Sequence, residues 1–315
     1  MIEEKSILGS FGYSKTPSFS GLPTFFAQPY CKNLQNVDIA VSGVPFDCAT
    51  SNRPGTRFGP RGIREASLLQ IHEAPYGWNV DPLTDFKIID YGDLLIDYGN
   101  VSGFPQGLQN HVREILRANV ASLVLGGDHF ITYPILKAHA ELYGKLSILQ
   151  FDAHTDTWKA NDPSDIDHGT MLFHAINDDI IDPCTSIQVG IRTTNHDPMG
   201  MNIIDAFEVH EKGPNYVAKR IKEILGDKPT YLTFDIDSLD PAYTPGTGTP
   251  VWGGLTPVQV SVILRNLIGI NLIGMDVVEV SPPYDTSGIT SIAGAHAAIE
   301  LICLWASGQQ KNTKI

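Results

Sequence analysis

Cysteine is scarce in this 315-residue chain: Cys31, Cys48, Cys184 and Cys303 stand far apart, none in a CxxC pair and none beside a histidine cluster. That spacing offers neither a disulfide framework nor a thiolate zinc site, and it predicts a reducing, cytoplasmic home. Basic residues are also few. Lysine plus arginine number 22 against 35 acids, a net charge of −13 that repels nucleic acid and anionic lipid and favours cations as partners. The N-terminus carries Glu3 and Glu4 where a signal peptide needs basic residues, and no apolar run reaches the roughly 18 residues of a membrane span. A dinucleotide fingerprint is missing too, since the only Gly-x-Gly, Gly246 to Gly248, sits in a Pro-rich loop. His72-Glu73 and His210-Glu211 lack the second histidine of a helical zinc protease.

What is present is an alternation of two periodicities. Apolar runs at Val37–Val44, Phe86–Tyr91, Ser122–Leu125, Leu146–Phe151, Ser186–Ile191, Tyr231–Phe234 and Leu272–Val280 are bounded by Gly, Pro or Asp. Helix-like stretches lie between several of them, at Gly107–Ala118, Tyr133–Leu142, Asn215–Leu225, Thr256–Leu267 and Ile292–Ala306. Near-continuous apolar strands alternating with helices predict a three-layer α/β/α sandwich with a mostly parallel sheet covered on both faces. Residues 1–36 follow neither period and read as an N-terminal arm that could pack on a neighbouring subunit. No composition break divides residues 37–315, which read as a single catalytic domain.

A parallel sheet of this kind gathers its site beyond the carboxyl ends of its strands. Three apolar runs end in metal-binding residue types: Gly126-Gly127-Asp128-His129, Asp152-Ala153-His154-Thr155-Asp156 and Asp235-Ile236-Asp237. Strand alternation would put Asp152, His154 and Asp156 on one side, and likewise Asp235 with Asp237, while Asp128 would point away from His129 as a structural group. The plain alternative is that these are turn aspartates and core histidines. Four buried carboxylates with two imidazoles, however, need positive charge to stay ionised together. Two divalent cations supply it, and mixed oxygen and imidazole ligation without sulfur suits Mn²⁺, with Ni²⁺, Co²⁺ or Zn²⁺ as alternatives.

The three motifs, continued through Ser238-Leu239-Asp240-Pro241, Gly246-Thr247-Gly248-Thr249-Pro250 and Met275-Asp276-Val277-Val278-Glu279-Val280, resemble the ureohydrolases, the family of arginase and agmatinase. Gly43-Val44-Pro45-Phe46-Asp47, Arg53 to Pro60, Asp167-His168-Gly169-Thr170-Met171 and Val189-Gly190-Ile191-Arg192 bring it nearest to the bacterial agmatinases. The resemblance implies an arginase-like fold, a homotrimer or homohexamer, and two Mn²⁺ ions. One ion would fall to His129, Asp152, Asp156 and Asp235, the other to His154, Asp152, Asp235 and Asp237. It also implies that His168 and Glu279 are catalytic, with Asp156 counted beside them, and that Glu279 binds the guanidinium of the substrate.

The implied reaction is hydrolysis of agmatine to putrescine and urea, with water activated between the two metals. Guanidinobutyrate hydrolysis is the alternative within the family, and a metal-dependent deacetylase the alternative outside it. The loop Thr157 to Asp167 carries Asp162, Asp165 and Asp167 against Lys159 alone, an acidic rim suited to a cationic tail. Asp165 is the expected tail contact and Trp158 the expected wall for the alkyl chain, unless the acids merely solvate a loop and the indole is core. Arg53, Arg57, Arg61 and Arg64 would serve a carboxylate tail unless they pair with acids.

Overall fold

Among the described residues, runs rich in branched and aromatic side chains between turn residues form eight strands, and every pairing between them is parallel. The computed structural model describes residues 17–71, 75–162 and 164–309. The strands are β1 (Ile39–Gly43), β2 (Ile88–Asp93), β3 (Ala121–Leu125), β4 (Ser147–Phe151), β5 (Ile187–Ile191), β6 (Asn202–Asp205), β7 (Thr230–Asp235) and β8 (Leu272–Val278). They lie in the order β2-β1-β3-β8-β7-β4-β5-β6. The last two strands of the sequence thus insert between β3 and β4 and become central.

The helices are α1 (Gly59–Ser67), α2 (Pro82–Asp85), α3 (Phe104–Arg117), α4 (Thr132–Tyr143), α5 (Met171–Asn177), α6 (Ala206–Lys212), α7 (Pro214–Leu225), α8 (Pro257–Asn266) and α9 (Ile289–Gln309). Alternate strand residues feed two separate cores, which makes the three layers. Leu123, Leu125, Leu149, Phe151, Leu232, Phe234 and Val277 pack with α1 and α6 to α9. Val124, Ile148, Tyr231 and Ile273 turn the other way, toward α3, α4 and α5.

Every run read as a strand forms one. β6 lies outside those runs: Asn-Ile-Ile-Asp has two apolar residues, and it becomes a strand only by pairing with β5 at the sheet edge. The helices α1, α2, α5 and α6 were not legible either, since none exceeds nine residues and a single turn or two carries little periodicity. α9 is long and apolar enough to cross a membrane by composition, with an 18-residue stretch of mean hydropathy 1.5. Yet 72% of that stretch is buried inside the protein, and its Glu300 pairs with Arg265 at 3.1 Å, as befits a core helix.

The N-terminal segment is held by the body of its own chain. Residues 1–16 fall outside the described residues, but Phe25 and Phe26 are buried in the larger core. The Phe25 N–H donates to Asp90 at 2.8 Å and the Phe26 N–H to Ser67 Oγ at 2.8 Å. Asp90 is in turn clasped by buried Arg64, through Nε at 2.8 Å and Nη2 at 3.0 Å. This fork joins α1, β2 and the N-terminal segment. Removing one partner of a buried pair leaves the other charge uncompensated, at a cost of about 3–5 kcal/mol. Arg64→Met is therefore expected to lower the urea unfolding free energy by about that amount, and an unchanged midpoint would show that the fork is dispensable.

Candidate metal centre and active site

Leu125, Val277, Phe234 and Phe151 pair in one register row across β3, β8, β7 and β4. The chain leaving each of these four central strands therefore emerges at the same level, and the expected ligands follow at once. Asp152 succeeds β4, Asp235 ends β7, Glu279 succeeds β8, and His129 stands four residues beyond β3. The Gly126-Gly127 step permits this approach, because a Cβ on Gly127 would meet the Phe46 carbonyl oxygen at 2.1 Å.

The structure corrects one expectation about geometry. Asp152, His154 and Asp156 do not lie on a strand: β4 ends at Phe151, and the three residues occupy the loop beyond it. Asp156 turns inward through a left-handed backbone conformation, φ 50°, and Glu279 does the same at φ 63°. Two such residues in one buried site mark local strain held by the surrounding fold. Asp237 likewise leaves the strand, in a turn of 3₁₀ helix at Ile236–Ser238.

All six expected ligands converge. Nδ1 of His129 lies 2.9 Å from Asp156, 3.0 Å from Asp152 and 3.1 Å from Asp235, while Nδ1 of His154 lies 3.1 Å from Asp237 and 3.4 Å from Asp152. Two groups have ligand atoms within 4.8 Å of one another: His129, Asp152 and Asp235, and Asp152, His154 and Asp237. Asp152 belongs to both.

The donor chemistry fits divalent metal. Thr233 Oγ1 lies 2.8 Å from Nε2 of His129 and gives its own proton to Asp276 Oδ1 at 2.5 Å, so Nε2–H donates and Nδ1 is left facing three carboxylates. Among the described residues, Nδ1 has no hydrogen-bond partner of its own. A lone pair among carboxylate oxygens is repulsive unless a cation or a proton lies between them.

The electrostatics say the same. Burial and the neighbouring charge of Asp152 push Asp156 up to about 6, and burial with Asp237 and Asp152 raises Asp235 well above the usual carboxylate range. Burial opposes charge on His154, but Asp237 and Asp152 outweigh it and raise its pKa to about 12; His129 rises for the same reason, chiefly through Asp156. Asp152 goes down, against its burial, because both imidazoles lie beside it and favour its charged form. A crowd of carboxylates demands positive charge, which protons or metal cations can supply.

A layer of buried polar groups behind the ligands holds them in place, and the sequence reading passed over it. Gln150 donates to Asp152 at 2.6 Å and is itself fixed by Gln188 at 2.6 Å. Asp276 accepts from Thr132, Thr233 and Tyr231 and so orients the His129 ring. Arg192 donates to the carbonyls of Asp237 and Val251, both at 2.7 Å, and stitches the loop after β7. The signal was available: each is a polar residue inside or ending an otherwise apolar strand. Asp128 is the structural group expected, accepting from the Ala49 N–H at 2.9 Å.

A cavity of about 240 Å³ opens on the cluster, lined by His129, His154, Asp156 and Asp235 and by Ser51, Trp158, Asp167, His168, Thr249 and Glu279. Buried Glu279 takes the His129 backbone N–H at 2.9 Å and His168 Nδ1 at 2.8 Å on Oε1, and its Oε2 has no partner among the described residues. Burial opposes charge on His168, but Glu279 outweighs it and raises the ring to about 9.

Trp158 lines the cavity as expected; Asp165 does not. Its Oδ2 accepts from the Asn161 and Asp162 N–H groups, both at 2.9 Å, which folds the loop, and Asp167, whose Oδ1 accepts the Gly169 N–H at 2.8 Å, lines the cavity instead. None of the four arginines lines the cavity: Arg57 pairs with Asp47, Arg61 with Glu65, and Arg64 with Asp90 and Asp93, while Arg53 lies over the Tyr284 ring.

Comparison with known proteins agrees with this geometry. The Arginase family model matches residues 37–303. Agmatinase of Chromobacterium violaceum is 48% identical over 94% of this chain and 92% of its own length. A crystal structure of a hypothetical agmatinase from Burkholderia thailandensis superposes with a TM-score of 0.93 at 49% identity, covering 98% of both chains. Proclavaminate amidino hydrolase from Streptomyces clavuligerus superposes with a TM-score of 0.89 at 37% identity, covering 93% of this chain and all of that one. A match over most of the chain, on a sheet whose central strand ends carry the cluster, makes this protein a member of the arginase family.

Proposed function

We propose that this chain hydrolyses agmatine to putrescine and urea, and that two Mn²⁺ ions serve the reaction. One would be held by His129, Asp152, Asp156 and Asp235, the other by His154, Asp152, Asp235 and Asp237. The substrate assignment is carried by the strong similarity to curated agmatinases along nearly the whole chain. When bound, the two cations lower the pKa of water from about 15.7 toward about 7 and so supply a nucleophile at neutral pH.

The protein's own groups do the rest. A guanidinium carbon is a weak electrophile, so orientation matters. Oε1 of Glu279 is committed to His129 and His168, and the free Oε2 is the acceptor for a guanidinium N–H, holding the carbon over the ligand cluster. When the C–N bond to the alkyl chain breaks, the leaving nitrogen must take a proton. His168, charged beside Glu279, is the general acid that supplies it. Trp158 flanks the alkyl chain, and Asp167 takes the role expected of Asp165, facing the terminal ammonium.

Among the described residues no arginine lines the cavity to receive a carboxylate, which supports the cationic tail over guanidinobutyrate. The four free cysteines support the cytoplasm as the compartment. The assembly proposed is a homotrimer or homohexamer, with the apolar groove lined by Tyr243, Val260, Ile289 and Ile292 as a face on which a second copy could pack.

Two measurements test this reading. Mn²⁺-loaded protein given agmatine, arginine, guanidinobutyrate and guanidinopropionate should release urea fastest from agmatine, and Asp167→Asn should raise KM for agmatine while sparing kcat. An acid-tailed compound winning would overturn the substrate assignment. Asp152→Asn should retain fewer than two metal ions per chain in elemental analysis after dialysis; full retention would contradict the shared ligand.

A further inference from the structure

Ser51 belongs to no motif singled out in the sequence, yet its loop is tied to the catalytic strand ends at several points. Asp47 accepts the Gly55 N–H at 2.8 Å and pairs with Arg57. The Ala49 N–H donates to Asp128 at 2.9 Å, and the Ala49 carbonyl accepts the backbone N–H of His168 at 3.1 Å. Ser51 is thereby held against the His168 ring. Nε2 lies 3.2 Å from the Ser51 backbone nitrogen and 3.1 Å from Ser51 Oγ. Among the described residues, Ser51 alone hydrogen-bonds to that nitrogen.

The two contacts are not equivalent. A backbone N–H can only donate, so it suits the neutral ring, whose Nε2 carries a lone pair. The charged ring presents Nε2–H, and only the hydroxyl oxygen can accept it. Because Glu279 holds Nδ1–H in both states, the proton that comes and goes is the one on Nε2. Ser51 is exposed and lines the cavity, so its hydroxyl reaches both the ring and the space the substrate would fill.

We propose that the Ser51 hydroxyl relays the proton between Nε2 of His168 and the leaving amine, an inference that rests on the reaction proposed above. As the C–N bond breaks, the leaving nitrogen takes the hydroxyl proton and the hydroxyl takes the Nε2 proton. The ring is left neutral, with its lone pair on the Ser51 N–H, and water restores its proton. The groups facing His168 are Glu279 beyond β8, Asp156 beyond β4 and Asp128 beyond β3, with Asp167 preceding it in sequence; the first three favour the charged ring.

The hydroxyl favours the charged ring as well, so removing it lowers the pKa of His168. Activity that needs the charged ring is then lost at lower pH. Urea release from agmatine by Mn²⁺-loaded wild type, Ser51→Ala and Ser51→Thr, followed across the alkaline range, tests the relay. Ser51→Ala should lose roughly tenfold in kcat, keep KM within about twofold, and show its alkaline limb at lower pH. Ser51→Thr, which keeps a hydroxyl, should recover most of the loss. The solvent isotope dependence should indicate two protons in flight for wild type and one for Ser51→Ala. An unmoved kcat and alkaline limb in Ser51→Ala would overturn the relay alone, as would equal impairment of Ser51→Thr, which would assign the effect to loop shape. A wild type that releases no urea from agmatine would overturn the reaction and the relay with it.

Discussion

Four carboxylates and two imidazoles packed within a few ångströms of one another, nearly out of contact with water, are stable only if positive charge is shared among them. The remainder of the structure follows from that constraint. It explains why Asp156 and Asp235 are pushed up while Asp152 is pulled down, and why His154 holds its proton so firmly. It explains the buried polar layer of Gln150, Gln188, Thr233 and Asp276, which sets the direction of Asp152 and His129 before any cation arrives. It also accounts for the left-handed turns at Asp156 and Glu279, which aim side chains that a regular strand would send elsewhere.

The sheet makes the convergence possible. Because β7 and β8 insert between β3 and β4, segments far apart in sequence end side by side, and a single register row aligns their exits. Glu279 links the two halves of the chemistry: one oxygen fixes His129 and His168, and the other remains free within the cavity wall. In the proposed reaction, recognition of the guanidinium and supply of the proton are coupled through this one carboxylate.

Much of this was legible in the residues, for a physical reason. Acids and histidines ending apolar runs are anomalous in a way that surface acids are not, so His129, Asp152, His154, Asp156, Asp235 and Asp237 stood out together. The route by which they meet was less legible. Alternation along a strand is a local rule, and it put Asp152, His154 and Asp156 on one side although all three lie in a loop that bends back at Asp156. Asp165 and Asp167 could not be told apart, because which one faces the cavity depends on how Asp165 caps the amides of Asn161 and Asp162. Ser51 was invisible since its partner lies 117 residues away. The short helices and β6 were lost for want of enough residues to carry a period.

Diffraction from crystals grown with Mn²⁺, recorded at the manganese absorption edge, tests the central claim most directly. Two anomalous peaks are expected beyond the ends of β3, β7 and β4, with Asp152 and Asp235 between them. A single peak, or manganese bound away from these six side chains, would contradict it.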